Sequence, residues 1–414
     1  MRRIALVVVV WCGIAVSGAQ DRLSLNDAIT IAMEQNPDLR AASRELAASE
    51  GRVLQAGRIA NPEISVQFNL APTTLDLGKA QEKDIAFVQT LEFPGKRGAR
   101  IDVAEHDQWI ARRTVERLTA STTTRVTQAY YRVLLANAVE GNLSFTIALL
   151  EDFLKVVTER YQAGTSSYLD VLRTKVELTR LRNEQVQAWS ERYAREAELN
   201  VRIGRSADAG LTLTDSLVYH PFELSRDSTV AMYETRSAYL KIVDREIMRA
   251  QSQIDLAGKS YLPDYTLGVS LQNRPGSLSP TGSSRYLGFE FGLSLPLWFW
   301  QSPRGELLEA QARLDIITLR REAARRVVRQ RILSAYRTVQ AAQIQLESFR
   351  ASLLQDAEDE LRSGIVAYQN NQIDVLNLFD IYRTTLATRI EYTRSLFNYL
   401  NARADLESTA EVME

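Results

Sequence analysis

The stretch Asn61–Arg100, NPEISVQFNLAPTTLDLGKAQEKDIAFVQTLEFPGKRGAR, decides the fold. From Glu63 to Leu70 it alternates without fault. Ile64, Val66, Phe68 and Leu70 take one face, and Glu63, Ser65, Gln67 and Asn69 the other. After a polar loop from Thr73 to Lys83, Ile85, Phe87, Leu91 and Phe93 resume the apolar alternation, broken only by Gln89. Period-two patterning of this kind marks a strand with one apolar and one polar face. Pro62 and Pro94 stand at the strand ends, where a missing N–H does least damage. The same pattern returns later in the chain. Tyr265, Leu267, Val269 and Leu271 alternate with Thr266, Gly268, Ser270 and Gln272, and Leu287, Phe289, Phe291, Leu293 and Leu295 alternate with Gly288, Glu290, Gly292 and Ser294. Pro263 enters this second hairpin and Pro296 closes it.

Long helical segments flank both hairpins. Lys96 to Tyr161 contains no proline and one interior glycine after the first turn, Gly141. At about 1.5 Å per residue an unbroken helix of this length runs on the order of 100 Å. Its seam, Ala129, Val133, Ala136, Glu140, Leu143, Ile147, Leu150, Leu154, Val157 and Tyr161, advances in steps of four and three with Glu140 the one violation, which is coiled-coil spacing. Tyr161-Gln162-Ala163-Gly164 ends it and matches Tyr368-Gln369-Asn370-Asn371 without a gap, so Gly164 and Asn371 mark equivalent helix turns. A second helix follows each turn, from about Ser167 to Ile203 and to about Glu407. Ahead of the first hairpin, Ser24 or Asn26 is the expected cap of an opening helix, with a break at Asn36-Pro37. The chain thus reads as a duplication: repeat one over 20–203 (hairpin about 62–94), a linker over 204–227, repeat two over 228–408 (hairpin about 263–296), and a tail over 409–414.

The N-terminus carries an address. Arg2 and Arg3 precede an apolar run from Ile4 to Val16 and then Ser17-Gly18-Ala19, a signal-peptide pattern cut after Ala19. Cys12, the only cysteine, lies inside that run behind Val9-Val10-Trp11 rather than the small residues of a lipoprotein site, so lipidation is not expected. Among 414 residues the net charge is −1, which exerts no pull toward nucleic acid. The basic run Arg320, Arg321, Arg325, Arg326, Arg329 and Arg331 reads as a solvated or intersubunit face of a long helix. His106 and His220 are the only histidines and stand apart from any nucleophile–base motif. Neither an enzyme nor a metal or other cofactor is expected.

Four amphipathic strands of this length suit a membrane, but they are too few to close a barrel, and an open edge in lipid would leave backbone groups unpaired. Several chains must then share one barrel. Phe93, Tyr261, Tyr286, Trp298, Phe299 and Trp300 cluster at the strand ends as an interface belt does. No mature segment carries an unbroken apolar run of transmembrane length, so the charged helices are expected in aqueous space.

In this frame the chain resembles the TolC family of outer-membrane efflux ducts over essentially its whole mature length. The resemblance rests on Leu25-Asn26-Asp27-Ala28-Ile29, Asn61-Pro62, Gln89-Thr90-Leu91-Glu92-Phe93-Pro94-Gly95-Lys96-Arg97, Leu169-Asp170-Val171-Leu172 and the two turns above. The Pro-Gly-Lys-Arg exit is similar to the CzcC-like heavy-metal branch. The resemblance implies a homotrimer in the Gram-negative outer membrane: a twelve-stranded β-barrel continued by a periplasmic α-helical barrel. It further implies tip-first docking to a periplasmic adaptor and an inner-membrane RND transporter, as a passive exit duct for heavy-metal cations or drugs. It also implies an aperture at the turns, with Tyr368 as the constricting residue, Asp170 as its hydrogen-bond partner and Asp380 in an acidic ring. Asn377 stands where that pattern has a second ring aspartate, and Ile373 where an arginine can latch. For Asp374, three residues after Asn371, the spacing favours helix capping, and Asp170 bears the same relation to Ser167. The alternatives are the exit duct of a type I protein-secretion system and a periplasmic coiled-coil scaffold.

Overall fold

The computed structural model describes residues 21–69, 82–275, 283–295 and 302–409. The signal sequence, Pro296 and the Trp298–Trp300 aromatics lie outside the described residues. The opening helix α1 (Leu25–Gln35) is capped by Ser24 rather than Asn26. The Ser24 and Asp27 side chains each accept the other's backbone N–H at 3.2 Å. Asn36 then takes an extended ψ of 118°, as the residue before a proline must, and α2 (Pro37–Ala56) restarts behind it. Helix α3 (Lys96–Gln162) is continuous, and α4 (Tyr168–Arg202) follows its turn. One window of α3 is long and apolar enough to cross a bilayer, although it holds no unbroken apolar run. Its seam residues Ala129, Val133, Leu143 and Leu150 are buried in cores instead.

Two helices depart from expectation. Ahead of the second hairpin, where the residues alone read as one helix from about Ser228 to Gly258, there are two, α5 (Arg226–Arg236) and α6 (Ala238–Lys259). Ser237, buried between them, turns its backbone to ψ 111° and caps α6 by accepting the Leu240 N–H at 3.3 Å. A serine that offers the backbone an alternative acceptor competes with helix propagation, and here the cap wins. The second long helix divides into α7 (Ser302–Ser348), one π turn (Phe349–Leu353) and α8 (Leu354–Gln369), and α9 (Val375–Thr409) completes the chain. The linker aromatic Tyr219 donates its hydroxyl to Glu347 at 2.6 Å and lies under the Arg350 guanidinium at 4.6 Å, so it grips the chain on both sides of the start of that π turn.

Strands β2 (Glu63–Asn69), β3 (Glu82–Leu91), β5 (Asp264–Pro275) and β6 (Ser283–Ser294) form one antiparallel sheet in the order β2-β3-β5-β6. Pro62 and Pro263 stand immediately before β2 and β5, and Pro94 just after β3. The register places Ile64, Phe87, Val269 and Phe289 in one row and Val66, Ile85, Leu271 and Leu287 in the next. All eight are exposed, Phe289 by 81%. The opposite face carries Ser65, Ala86, Ser270 and Gly288 across the strands. A side chain at Gly288 would meet Ser270 Oγ at 2.5 Å, which is why this row must stay small. Gln89, the break in the alternation, lies opposite Leu267 and donates to the Ala60 carbonyl at 2.8 Å, satisfying backbone that β2 has not yet taken up.

The contacts divide the chain into two compact units. One takes in the described residues up to Asn36, with Thr122–Glu223 and Arg337–Asp405. The other holds Pro37–Ser121, Leu224–Tyr336 and the described residues from Leu406. Neither coincides with a repeat, since each repeat contributes residues to both. In the first unit the expected linker supplies β4 (Leu211–Leu213), which pairs in parallel with β1 (Asp21–Leu23). Buried Tyr130 fastens this two-stranded sheet by donating to the Leu23 carbonyl and to Asp215, each at 2.9 Å. The seam violation Glu140 is an ion pair with Arg192 of α4 at 2.6 Å.

The two faces of the sheet predict opposite responses. Phe289→Arg puts a charge on the apolar face and is expected to destabilise protein refolded into lipid vesicles by about 2–4 kcal/mol in urea titrations. Glu290→Gln, on the polar face, is expected to leave the midpoint within about 0.5 kcal/mol of the parent.

Candidate functional site at the paired helix turns

Both long helices end in the same way. After α3, Gly164 has φ +75°, the Thr165 N–H donates to the Arg160 carbonyl at 2.8 Å, and the Gly164 N–H to Tyr161 at 2.9 Å. After α8, Asn371 has φ +58°, the Gln372 N–H donates to Ala367 at 2.8 Å, and the Asn371 N–H to Tyr368 at 3.0 Å. A left-handed residue past a helix end, with such reversed bonds, is a Schellman-type stop, and asparagine is the side chain that tolerates it next best to glycine. The gap-free match of the two turns in the sequence is therefore a match of backbone.

The caps that follow correct one expectation. Ser167 caps α4, accepting the Leu169 N–H at 3.1 Å, and Asp170 completes the capping box by accepting the Ser167 N–H at 3.4 Å. In the second repeat Asp374 is not the third residue of a box begun by Asn371. Asp374 is itself the cap, accepting the Asn377 N–H at 2.9 Å. Asn371 is committed to the helix stop, so the register moves by three: Asp374 corresponds to Ser167 and Asn377 to Asp170.

Tyr368 is 6% exposed, edge-on to Phe153 at 4.9 Å between ring centroids. Burial raises its pKa. The Asp170 charge adds to the rise, while the nearby Ser166 hydroxyl and the Arg160 guanidinium work in the opposite direction. Ser166 donates to Asp170 Oδ2 at 3.2 Å, and no direct hydrogen bond joins Tyr368 to Asp170 among the described residues. The Arg160 guanidinium lies 5.2 Å from the Tyr368 ring centroid and donates to the Tyr368 and Gln369 carbonyls. Ile373 packs against the apolar cluster around Leu378 and Phe379. Asn377 and Asp380 are exposed, the latter 3.4 Å from Arg383.

The sequence did not disclose the strongest electrostatic contact of this region. Glu177 of α4 is 5% exposed and accepts from Arg383 of α9 at 2.8 and 3.0 Å and from Arg180 at 2.7 and 3.2 Å. Burial by itself would raise its pKa, but the hydrogen bonds from Arg383 and Arg180 outweigh it and hold the carboxyl down at about 2. The only local sign was an acid beside a buried helix row (Val171, Thr174, Leu178, Leu181), and its partner lies 206 residues away. Exposed Tyr161 and Tyr168 lie 5.3 Å apart, ring to ring, at the first turn.

A carboxyl held below its ordinary value of 4.5 stabilises the fold fully above that pH and ceases to as the pH falls toward about 2. Glu177→Gln is therefore expected to cost about 3 kcal/mol at pH 7, at about 1.36 kcal/mol per pKa unit. The denaturation curves of parent and variant in detergent should converge as the pH drops from 4.5 to 2.

The outer membrane efflux protein family model matches residues 28–205 and 234–410 of this chain. The chain is similar to the cobalt-zinc-cadmium resistance protein CzcC of Cupriavidus metallidurans, 22% identical over 372 residues that cover 89% of this chain and 85% of that protein. Among solved structures it is similar to the open state of the MtrE outer membrane channel of Neisseria gonorrhoeae. That match has a TM-score of 0.74 and 14% identity, over 94% of this chain and 88% of that one. It is also similar to the outer membrane protein VceC of Vibrio cholerae, with a TM-score of 0.72 and 16% identity, over 94% and 96% of the two chains. The fold is thus that of outer-membrane channels that join a β-barrel to an α-helical barrel. With that model matching most of its length, the chain belongs to the outer membrane efflux protein family and is an efflux exit duct of the Gram-negative outer membrane.

Proposed function

We propose that this duct works as a homotrimer and forms the outer-membrane part of a tripartite pump. The carrying observation is the sheet itself: four strands with one exposed apolar face, ending in β2 and β6 with no further strand beside them among the described residues. In lipid those edges must find backbone partners, and further copies of the same chain supply them. Three copies give twelve strands. The duct has no energy source of its own, so an inner-membrane RND transporter and a periplasmic adaptor deliver its cargo, and the exposed Tyr161, Tyr168 and Leu169 offer the adaptor an apolar contact at the turn.

The paired turns are read as the periplasmic aperture. Tyr368 and Asp170 constrict it, Asp380 and Asn377 face the passage, and Asp374 caps its helix. The cargo is read as heavy-metal cations, supported by the similarity to a cobalt-zinc-cadmium resistance protein and by the Pro-Gly-Lys-Arg exit of the first hairpin, which resembles that branch. A conduit has to let ions leave as readily as they enter, so no closed ligand set is required of it.

Deleting the gene in its own host is expected to lower tolerance to cobalt, zinc and cadmium at least several-fold, with antibiotic and dye tolerance unchanged, and plasmid-borne parent protein should restore it. Loss of drug tolerance alone, or of a secreted protein alone, would contradict the metal reading.

A further inference from the structure

We propose that Arg160 is the latch of the aperture, a positioning residue on α3 that holds the end of α8 and with it Tyr368. This rests on reading the paired turns as the aperture. Arg160 occupies the last turn of α3, and its guanidinium reaches the other repeat. One terminal nitrogen donates to the Tyr368 carbonyl at 3.2 Å and the Gln369 carbonyl at 3.0 Å, and the other donates to Asn371 Oδ1. Both carbonyls belong to the last turn of α8, where the helix dipole leaves negative charge, and that of Tyr368 also accepts the Asn371 N–H. One cation thus satisfies three acceptors of α8 and its turn, and covers the face of the tyrosine at 5.2 Å.

Two features mark this contact as more than packing. Arg160 Nε is buried with no hydrogen-bond partner among the described residues, so the guanidinium gives up one donor to keep the other two on α8. The duplication also does not require the contact. Ala367 stands at the position equivalent to Arg160, so nothing in the second repeat reciprocates it. Ile373, where the family resemblance allows a latching arginine, is packed against the apolar cluster instead. The cation that ties the two turns together therefore comes from the opposite helix. Moving the end of α8 away from α3 breaks all three bonds at once, and Tyr368 moves with it.

Single-channel recording of the full-length protein in planar bilayers tests this, with melting temperature followed in parallel. Arg160→Ala is expected to raise the time spent in the high-conductance state on the order of tenfold, the effect of losing charge-assisted hydrogen bonds, in protein that still forms the heat-modifiable oligomer. Arg160→Lys keeps the charge without the fork and should fall between the two. Asn371→Gly keeps the left-handed turn, removes one acceptor, and should open the channel partly without lowering the melting temperature. Parent-like conductance of assembled Arg160→Ala overturns the latch. Should that variant fail to assemble, parent-like conductance of Asn371→Gly overturns it instead. If Tyr368→Ala opens the channel while the Arg160 and Asn371 variants do not, the aperture reading stands and the latch falls. If none of them opens it, both fall.

Discussion

The constraint on which the molecule depends is that a backbone N–H or C=O in hydrocarbon must be paired inside protein. Every strand of this sheet has one face built for lipid, and the register aligns those faces row upon row, Ile64 with Phe87, Val269 and Phe289. A face of that kind fixes where the sheet belongs, and the two edges fix what it needs, namely other strands of its own kind. Small residues on the polar face serve the same end. Gly288 fits against Ser270 with no room for a side chain.

The helices obey a different rule. In water they need one buried seam each, and two acids found in those seams are paired. Glu140 is matched by Arg192, and Glu177 by two arginines from two helices. Burying these charges would be costly if any one partner were missing, so the pairs fix which helix lies beside which more firmly than apolar packing alone does. The helix stops at Gly164 and Asn371 then place Tyr368, Asp170 and Arg160 within contact of one another or of a shared neighbour, Ser166.

Much of this was legible in the residues. Period-two runs bounded by prolines located the hairpins, and the stretch without proline from Lys96 located α3 to within a residue of its end. The duplication was readable because both turns keep tyrosine and glutamine ahead of a left-handed residue. What stayed hidden has a common cause, which is dependence on partners far away in sequence. Ser237 breaks a helix through a cap that looks like any surface serine. The strand Leu211–Leu213 exists because Asp21–Leu23 lies beside it. The π turn after Ser348 leaves no compositional mark. Asp374 was assigned to the right kind of contact in the wrong register, since the left-handed backbone of Asn371 is a property of the folded turn. Arg160 and Glu177 were invisible as site residues because the groups they bind lie about two hundred positions away.

The central claim, that neighbouring copies complete the barrel, is tested most directly by the mass of the detergent-solubilised complex in native mass spectrometry. The account predicts a complex of three chains that survives release from the micelle. A single chain, stable and with its sheet intact, would show that the strand edges are satisfied some other way and would contradict it.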